Sequence, residues 1–144
     1  MQPVDPIDLV IPLRIAVHAN TARELLVAPL WFLHADGAFW CASQARSLIV
    51  RALQREPSCA FDLSTNDMPY RGVRGRASVT LHPEEGERVL EALLNRYLGG
   101  TGSPLARRLL ARASTEVALR LQPHWQSQWD YSKRMASVQR DGQG

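Results

Sequence analysis

Residues 69–82 constrain the fold of this chain more than any other part of the sequence. Small or apolar side chains stand at every second position, and polar or basic side chains stand between them. The first set is Val73, Gly75, Ala77, Val79 and Leu81, and the second set is Arg74, Arg76, Ser78, Thr80 and His82. Because successive side chains of a strand lie on opposite faces, this pattern predicts a long strand with one core face and one basic, polar face.

Other runs rich in aliphatic and aromatic residues predict further strands. They are residues 12–19, the two arms of a hairpin within residues 24–43, residues 58–65 and residues 115–123. The hairpin prediction depends on Asp36-Gly37, because this pair favours the tight turn between two antiparallel strands. The pattern therefore predicts about six strands.

Three segments have the spacing or the caps of helices. The first, residues 44–57, places four apolar residues on one face: Leu48, Ile49, Ala52 and Leu53. The second follows Pro83 and stops at two glycines, residues 99–100. The third is shorter, with Ser103 as the N-cap and a proline at its first position.

The order of these elements shows no regular alternation of strand and helix. It favours a mainly β, α+β protein in which an antiparallel barrel or sheet carries helices on its outside. No linker divides the chain, so we expect one domain over residues 1–144, with a core over about residues 12–135. Residues 136–144 are expected to form a disordered tail.

The formal net charge is +3, and Lys133 is the only lysine, so the positive charge comes almost entirely from arginine. Arginine suits planar contacts with phosphate or carboxylate groups. The small excess does not favour nucleic acid as a partner, and the GxxG within residues 71–76 lies in a strand pattern instead of the helix–loop–helix of a KH domain.

Targeting and cysteine usage indicate a cytoplasmic protein without a membrane partner. No apolar run reaches the length needed to cross a bilayer, and the first residues lack the pattern of a signal peptide. Cys41 and Cys59 are expected to be reduced, buried and inert. No histidine and cysteine spacing indicates a metal site.

Catalytic side chains cannot be assigned from the sequence. There is no GxSxG element, and the glycine-rich residues 99–104 follow a helix, whereas a dinucleotide-binding loop follows a strand. A phosphate site is better supported, because small polar residues end one strand and a helix with a hydroxyl and arginines begins directly after it. Backbone N–H groups and the dipole of that helix both favour an anion. Trp31, Phe32 and Trp40 offer flat apolar surface nearby.

In these segments the sequence resembles the pyridoxamine 5'-phosphate oxidase-like superfamily, the flavin-binding split β-barrels. The resemblance runs over about residues 12–135 and consists of the "PLWF" strand, the Asp-Gly turn, the serine-containing helix that ends in "LQREP", "PYRGVRGRASV" and the closing "PHWQSQWDYSK". It implies a six-stranded antiparallel split barrel of the FMN-binding type. It also implies a homodimer with two cofactor sites at the interface.

The resemblance implies a set of cofactor-binding residues. Ser43, Arg46, Ser47 and Arg51 are expected at the phosphate. The flavin ring is expected against Pro29, Leu30 and Trp31 on one strand and against Cys41, Ala42 and Ser43 on another. Arg74 and Trp129 complete the set. Trp129 comes from the closing segment, either of the same chain or of the partner chain.

One departure from the family pattern bears on the cofactor. In family members that bind FMN tightly, the serine of this helix is often followed by Arg-Lys. In this chain, Ser47 is followed by Leu48 and Ile49. Two alternatives follow: either Arg46 or Arg51 replaces those cations, or the cofactor is a deazaflavin, is weakly held or is missing.

Gly72 and Gly75 are expected to let another backbone or a cofactor approach closely. Two readings of the arginines on that strand stay open: they pair with acids or with the cofactor, or they keep an exposed face hydrated.

The function implied is an FMN-dependent oxidoreductase that transfers a hydride between the flavin and a small substrate. The alternatives are a deazaflavin-dependent reductase, a non-catalytic flavin- or haem-binding protein of the same fold, and a basic nucleic-acid-binding barrel.

Overall fold

The computed structural model describes residues 5–21 and 23–135. Its strands are β1 Leu13–His18, β2 Leu25–Leu30, β3 Leu33–Ala35, β4 Ala38–Gln44, β5 Ser58–Ser64, β6 Arg71–His82 and β7 Glu116–Asp130. Its α-helices are α1 Leu48–Arg55, α2 Gly86–Leu98 and α3 Pro104–Leu110, and single 3-10 turns lie at Pro6–Asp8, Pro83–Glu85 and Ala113–Thr115. The expected disordered tail lies outside the described residues.

The strands form one curled antiparallel sheet in the order β2-β1-β5-β6-β7-β4-β3. This confirms a mainly β fold with flanking helices, with seven strands in place of about six. The two end strands, β2 and β3, follow each other in the chain and are joined only by Trp31 and Phe32. Among the described residues, no helix is long and apolar enough to cross a membrane.

The alternation along β6 is confirmed. Val73, Ala77 and Val79 are buried, whereas Arg74, Arg76 and Ser78 are exposed. The concave face of the sheet holds the main core together with α1, which contributes Ile49, Val50, Ala52 and Leu53. Leu48 was expected on this face, but it is 66% exposed. The helix begins one residue after its Ser47 cap, so its first residue points away from the core and Val50 takes that place.

The second and third helices cover the convex side of β4 and β7. Val89 and Leu93 of α2 pack on Ala118 of β7, and Leu90 and Leu94 pack with Ala106 and Ala113. Ser103 caps α3 as expected, accepting a hydrogen bond from the Ala106 N–H at 3.1 Å. These contacts bring the start of β7 and the end of α3 beside the end of β4.

The hairpin predicted within residues 24–43 is half correct. Asp36 and Gly37 adopt φ values of 53° and 75°, as a tight turn requires, and they join β3 to β4. However, β2 pairs with β1 and not with β4. The chain leaves the sheet at Trp31-Phe32, so the arm before Leu33 and the arm after it belong to opposite ends of the sheet.

The last strand is longer than predicted, because it continues through Pro123 to Asp130. Pro123 pairs with Ala77 and Trp125 pairs with Arg76, so His124 forms a bulge opposite the irregularity between Arg76 and Ala77. A bulge tolerates the missing N–H of proline, which explains why a strand continues where the sequence indicates an end.

Candidate functional site

Two serine hydroxyls meet where β4 ends and α1 begins. Ser47 is the N-cap of α1, and its Oγ accepts a hydrogen bond from the Val50 N–H at 3.2 Å. Ser43 is the penultimate residue of β4, and its Oγ donates to Ser47 Oγ at 2.9 Å. The structure therefore brings together two of the residues predicted at a phosphate, at the positive end of a helix dipole.

Arg46 and Arg51 flank this pair and are exposed. Within residues 5–21 and 23–135, neither guanidinium forms a side-chain hydrogen bond or an ion pair. Their charge is therefore not neutralised by a described carboxylate and remains available to an anion. The positions of the missing Arg-Lys pair hold exposed Leu48 and core Ile49.

A cluster of polar side chains holds the end of β4 in place. The sequence did not indicate this cluster. Thr115 Oγ1 donates to Gln44 Oε1 at 2.6 Å, and Gln44 Nε2 donates to the Arg112 carbonyl at 3.0 Å and to the Glu116 carboxylate. Burial raises the pKa of Glu116, opposed by the Gln44 hydrogen bond and the Arg112 charge. These partners are more than sixty residues apart in the chain, so no local pattern reveals them.

The predicted ring-binding residues of β2 lie at an open sheet edge. Pro29 is exposed and Leu30 is partly buried. Because β2 is hydrogen-bonded only to β1 and proline lacks an N–H, this edge position suits Pro29. Trp31 is not a free flat surface: it stacks on Tyr97 with ring centroids 4.9 Å apart and planes at 9°.

The residues predicted on β4 divide between its two faces. Cys41 is fully buried in the main core, whereas Ala42 packs against the side chains of α2 on the convex side. Phe32 is fully buried as well. The side chain of Cys41 therefore faces the core, on the opposite face of β4 from Ala42. Burial raises the pKa of both thiols, that of Cys59 to about 12, as expected for inert cysteines.

Arg74 and Trp129 lie together at the other end of the sheet. The Arg74 guanidinium carbon is 5.7 Å from the centre of the Trp129 ring. The ring lies over Gly72, where an added Cβ would be 2.8 Å from Trp129 Cζ2 and 2.6 Å from the Leu63 carbonyl oxygen. The expected close approach at Gly72 is thus made by this chain's own residues. Trp129 Nε1 is buried and has no hydrogen-bond partner among the described residues.

These two groups are far apart in a single chain. Ser43 pairs with Val117 near the start of β7, whereas Trp129 pairs with Gly72 twelve residues further along the same strand. At about 3.3 Å per residue, that is roughly 40 Å of strand. One chain therefore does not assemble the whole predicted site.

The convex face of β1, β2, β5 and β6 carries an open groove of ≈ 570 Å³. Its lining includes Arg14, Asp62, Arg74, Arg76, Val27 and Trp125. Val27 is 63% exposed and Trp125 is 47% exposed, and the Arg76 guanidinium carbon lies 5.1 Å from the Trp125 ring centre. We call these residues the convex groove. Exposed apolar side chains of this size indicate a contact surface.

The fold occurs among solved structures. An F420 reductase matches with a TM-score of 0.72 and 18% identity, over 88% of this chain and 98% of that chain. A Listeria innocua protein assigned as a pyridoxamine 5'-phosphate oxidase matches with a TM-score of 0.64 and 12% identity, over 85% and 91%. HutZ, the haem storage protein of Vibrio cholerae, matches with a TM-score of 0.66 and 12% identity, over 87% and 89%.

The chain has the split-barrel fold of the pyridoxamine 5'-phosphate oxidase-like proteins, as the sequence motifs predicted. No protein-family model matches the sequence, and no curated protein does.

Proposed function

We propose that the protein is a homodimeric, cytoplasmic, FMN-dependent oxidoreductase that transfers a hydride between the flavin and a small organic substrate. The observation that carries the proposal is the start of α1, where two hydrogen-bonded serine hydroxyls lie beside two arginines that have no described partner. Phosphate is the group that such a site binds best, because N–H groups, hydroxyls and guanidinium groups all donate hydrogen bonds to it.

The residues at the other end of the sheet suit the ring of a flavin. A buried N–H without a partner costs about 1–3 kcal/mol, so Trp129 Nε1 favours a ligand with a carbonyl acceptor. The open edge of β2 offers backbone hydrogen-bonding groups. A bound flavin supplies the hydride chemistry, and the chain supplies binding, orientation and charge.

A second copy of the chain accounts for the separation of the two groups. In the proposed dimer, Trp129 and Arg74 of one copy complete the site formed by Ser43 and Ser47 of the other. The convex groove supports this arrangement, because an acid, Asp62, lines it together with arginines and pairs in register with two of them, Arg14 and Arg74. Such a face has both charges needed to pair with itself across a twofold axis.

A deazaflavin-dependent reductase is the second candidate. Leu48 is exposed and Ile49 is in the core, so no cation stands at the two positions that hold FMN phosphate in tight binders. The structural likeness to an F420 reductase supports this candidate as well.

The test is an absorption spectrum of the purified protein, before and after reconstitution with FMN, followed by removal of free cofactor. We expect a flavin spectrum, with one FMN per chain, and repeated reduction and reoxidation when donor and acceptor are supplied. Binding without turnover contradicts the enzyme and supports a carrier. A protein that takes up deazaflavin or haem but not FMN contradicts the cofactor, and one that binds only an oligonucleotide, in a strongly salt-dependent way, contradicts the whole proposal.

A further inference from the structure

The last turn of α2 holds the two-residue connection between β2 and β3. Tyr97 Oη accepts a hydrogen bond from the Phe32 N–H at 3.2 Å and donates to the Ile11 carbonyl at 2.8 Å. The Trp31 ring stacks on the Tyr97 ring almost in parallel. A single side chain therefore binds two segments that are far apart in sequence, residues 9–11 and the end of β2.

Arg96 strengthens the same junction. Its Nη2 donates to the Leu9 carbonyl at 2.8 Å, and its guanidinium carbon lies 5.1 Å from the Phe32 ring centre and 5.8 Å from that of Tyr97. The guanidinium is thus held between two aromatic rings and a backbone carbonyl. Together, Arg96 and Tyr97 form what we call the α2 clamp.

The clamp acts at the end of β2, an edge strand that the sheet holds from one side only. Leu30 is the last residue of β2, which has a ladder partner on one side only, and the chain leaves the sheet directly after it. The positions of Pro29 and Leu30 consequently depend on where Trp31 and Phe32 are held. Burial raises the pKa of Tyr97, so its hydroxyl remains a donor at neutral pH.

We propose that Tyr97 is a positioning residue of the cofactor site: through Trp31 and Phe32 it sets the place and angle of the β2 edge against which the flavin ring lies. This inference rests on the proposed function. It also assigns Trp31 a different role from the predicted one, since its ring contacts Tyr97 and holds the strand, while the edge of the strand faces the ligand.

The test compares Tyr97→Phe with Ser103→Ala. Tyr97→Phe keeps the stacking on Trp31 but removes both hydrogen bonds, whereas Ser103→Ala removes only the cap hydrogen bond from the Ala106 N–H, which lies within α3. Each variant is titrated with FMN, and the visible spectrum and the midpoint potential of the bound flavin are recorded. For Tyr97→Phe we expect about tenfold weaker FMN binding, together with a shifted spectrum and potential, which corresponds to one or two lost hydrogen bonds.

We expect Ser103→Ala to lose stability but to keep the affinity, spectrum and potential of the wild type. If Tyr97→Phe also keeps all three, or if both variants lose affinity equally with an unchanged spectrum and potential, the positioning role is wrong. Should Tyr97→Phe not fold, Trp31→Phe replaces the other ring of the stack, and the same changes are expected.

Amide hydrogen exchange separates this inference from the proposed function, because it needs no flavin. Faster exchange at Leu30 and Phe32 in Tyr97→Phe, but not in Ser103→Ala, supports the control of the β2 edge even if the wild type binds no flavin. Unchanged exchange at these amides overturns it even if the wild type binds FMN.

Discussion

Gly86 lies where the first turn of α2 meets the start of β7. A Cβ added there would be 1.8 Å from the Glu116 carbonyl oxygen. The other nearest atoms also belong to the backbone of residues 116–117, which cannot move aside as a flexible side chain can. The close approach of these two backbones is what brings α2 onto the convex face. It therefore depends on the absence of a single side chain.

We expect Gly86→Ala to lower the free energy of unfolding by about 3 kcal/mol or more, the upper range for overpacking in a closed site. The measurement is urea unfolding followed by circular dichroism. Gly102→Ala is the matched control, because an added Cβ there meets nothing within 4 Å. Its stability should stay within about 0.5 kcal/mol of the wild type. Equal stability of the two variants would contradict this packing.

Glu116 is the one buried charged residue in the described part of the chain, and its raised pKa makes a pH-dependent prediction. In the fold the carboxyl keeps its proton at pH values where the unfolded chain has ionised. Its contribution to stability is therefore full below its ordinary pKa of about 4 and is lost as the pH rises through the raised value.

Glu116→Gln removes this loss and keeps an oxygen that accepts from Gln44. We expect the variant to gain stability relative to the wild type as the pH is raised from about 4 to 7. Urea unfolding at a series of pH values measures the difference. A difference that is constant, or that moves in favour of the wild type, is the contrary result.

At the level of elements, α1 and α3 begin in the same way, since each starts at a serine that caps the third N–H after it. Both helices carry an arginine four residues after the cap, but the cap of α1 also accepts a hydrogen bond from a second hydroxyl, that of Ser43, and directly follows an arginine, Arg46. A comparison of variants in the two caps therefore distinguishes the structural role of a cap from its role in binding an anion.

Ser47→Ala and Ser103→Ala should each cost about 1 kcal/mol of stability, the usual value of an N-cap. When Ser47→Ala is combined with Arg46→Ala, FMN binding should weaken by about 2 kcal/mol or more, because hydrogen bonds to a charged group are worth about 1.5–3 kcal/mol each. Ser103→Ala combined with Arg108→Ala should bind FMN like the wild type. Identical titration curves for the two pairs would remove Ser47 and Arg46 from the phosphate site.

At the level of the whole molecule, the separation of Ser43 from Trp129 along β7 makes the oligomeric state decisive. A monomer presents half of the proposed site at each end of one strand. In the proposed dimer, the two chains contact each other at the convex groove, and this contact covers Val27 and Trp125. The Ser43 end of one chain then lies beside the Trp129 end of the other.

Val27→Arg tests this arrangement. In an isolated chain the arginine is largely exposed and costs little, but in the dimer it adds a buried, unpaired positive charge to a face that already holds three arginines, which costs about 3 kcal/mol. We expect light scattering at micromolar concentration to show a dimer for the wild type and a monomer for the variant, with FMN binding lost in parallel. Leu105→Arg, on the partly exposed surface of α3, should remain a dimer. A wild type that is monomeric contradicts the proposed dimer.

Features that depend on neighbours in the chain could be predicted from the sequence. The alternation along β6, the Asp36-Gly37 turn and the cap Ser103 are all confirmed, because strand sterics, turn dihedrals and capping bonds act over a few residues. The split-barrel fold itself was implied by the resemblance of these motifs, in their order, to a known family.

Features that depend on distant partners came only from the tertiary structure. The pairing of β2 with β1, the bulge that extends β7 past Pro123 and the α2 clamp all join residues that no short-range pattern relates. The two halves of the candidate site show the same limit: the sequence names Ser47 and Trp129, but only the sheet places them at opposite ends of β7, because strand pairing sets where a side chain lies in space.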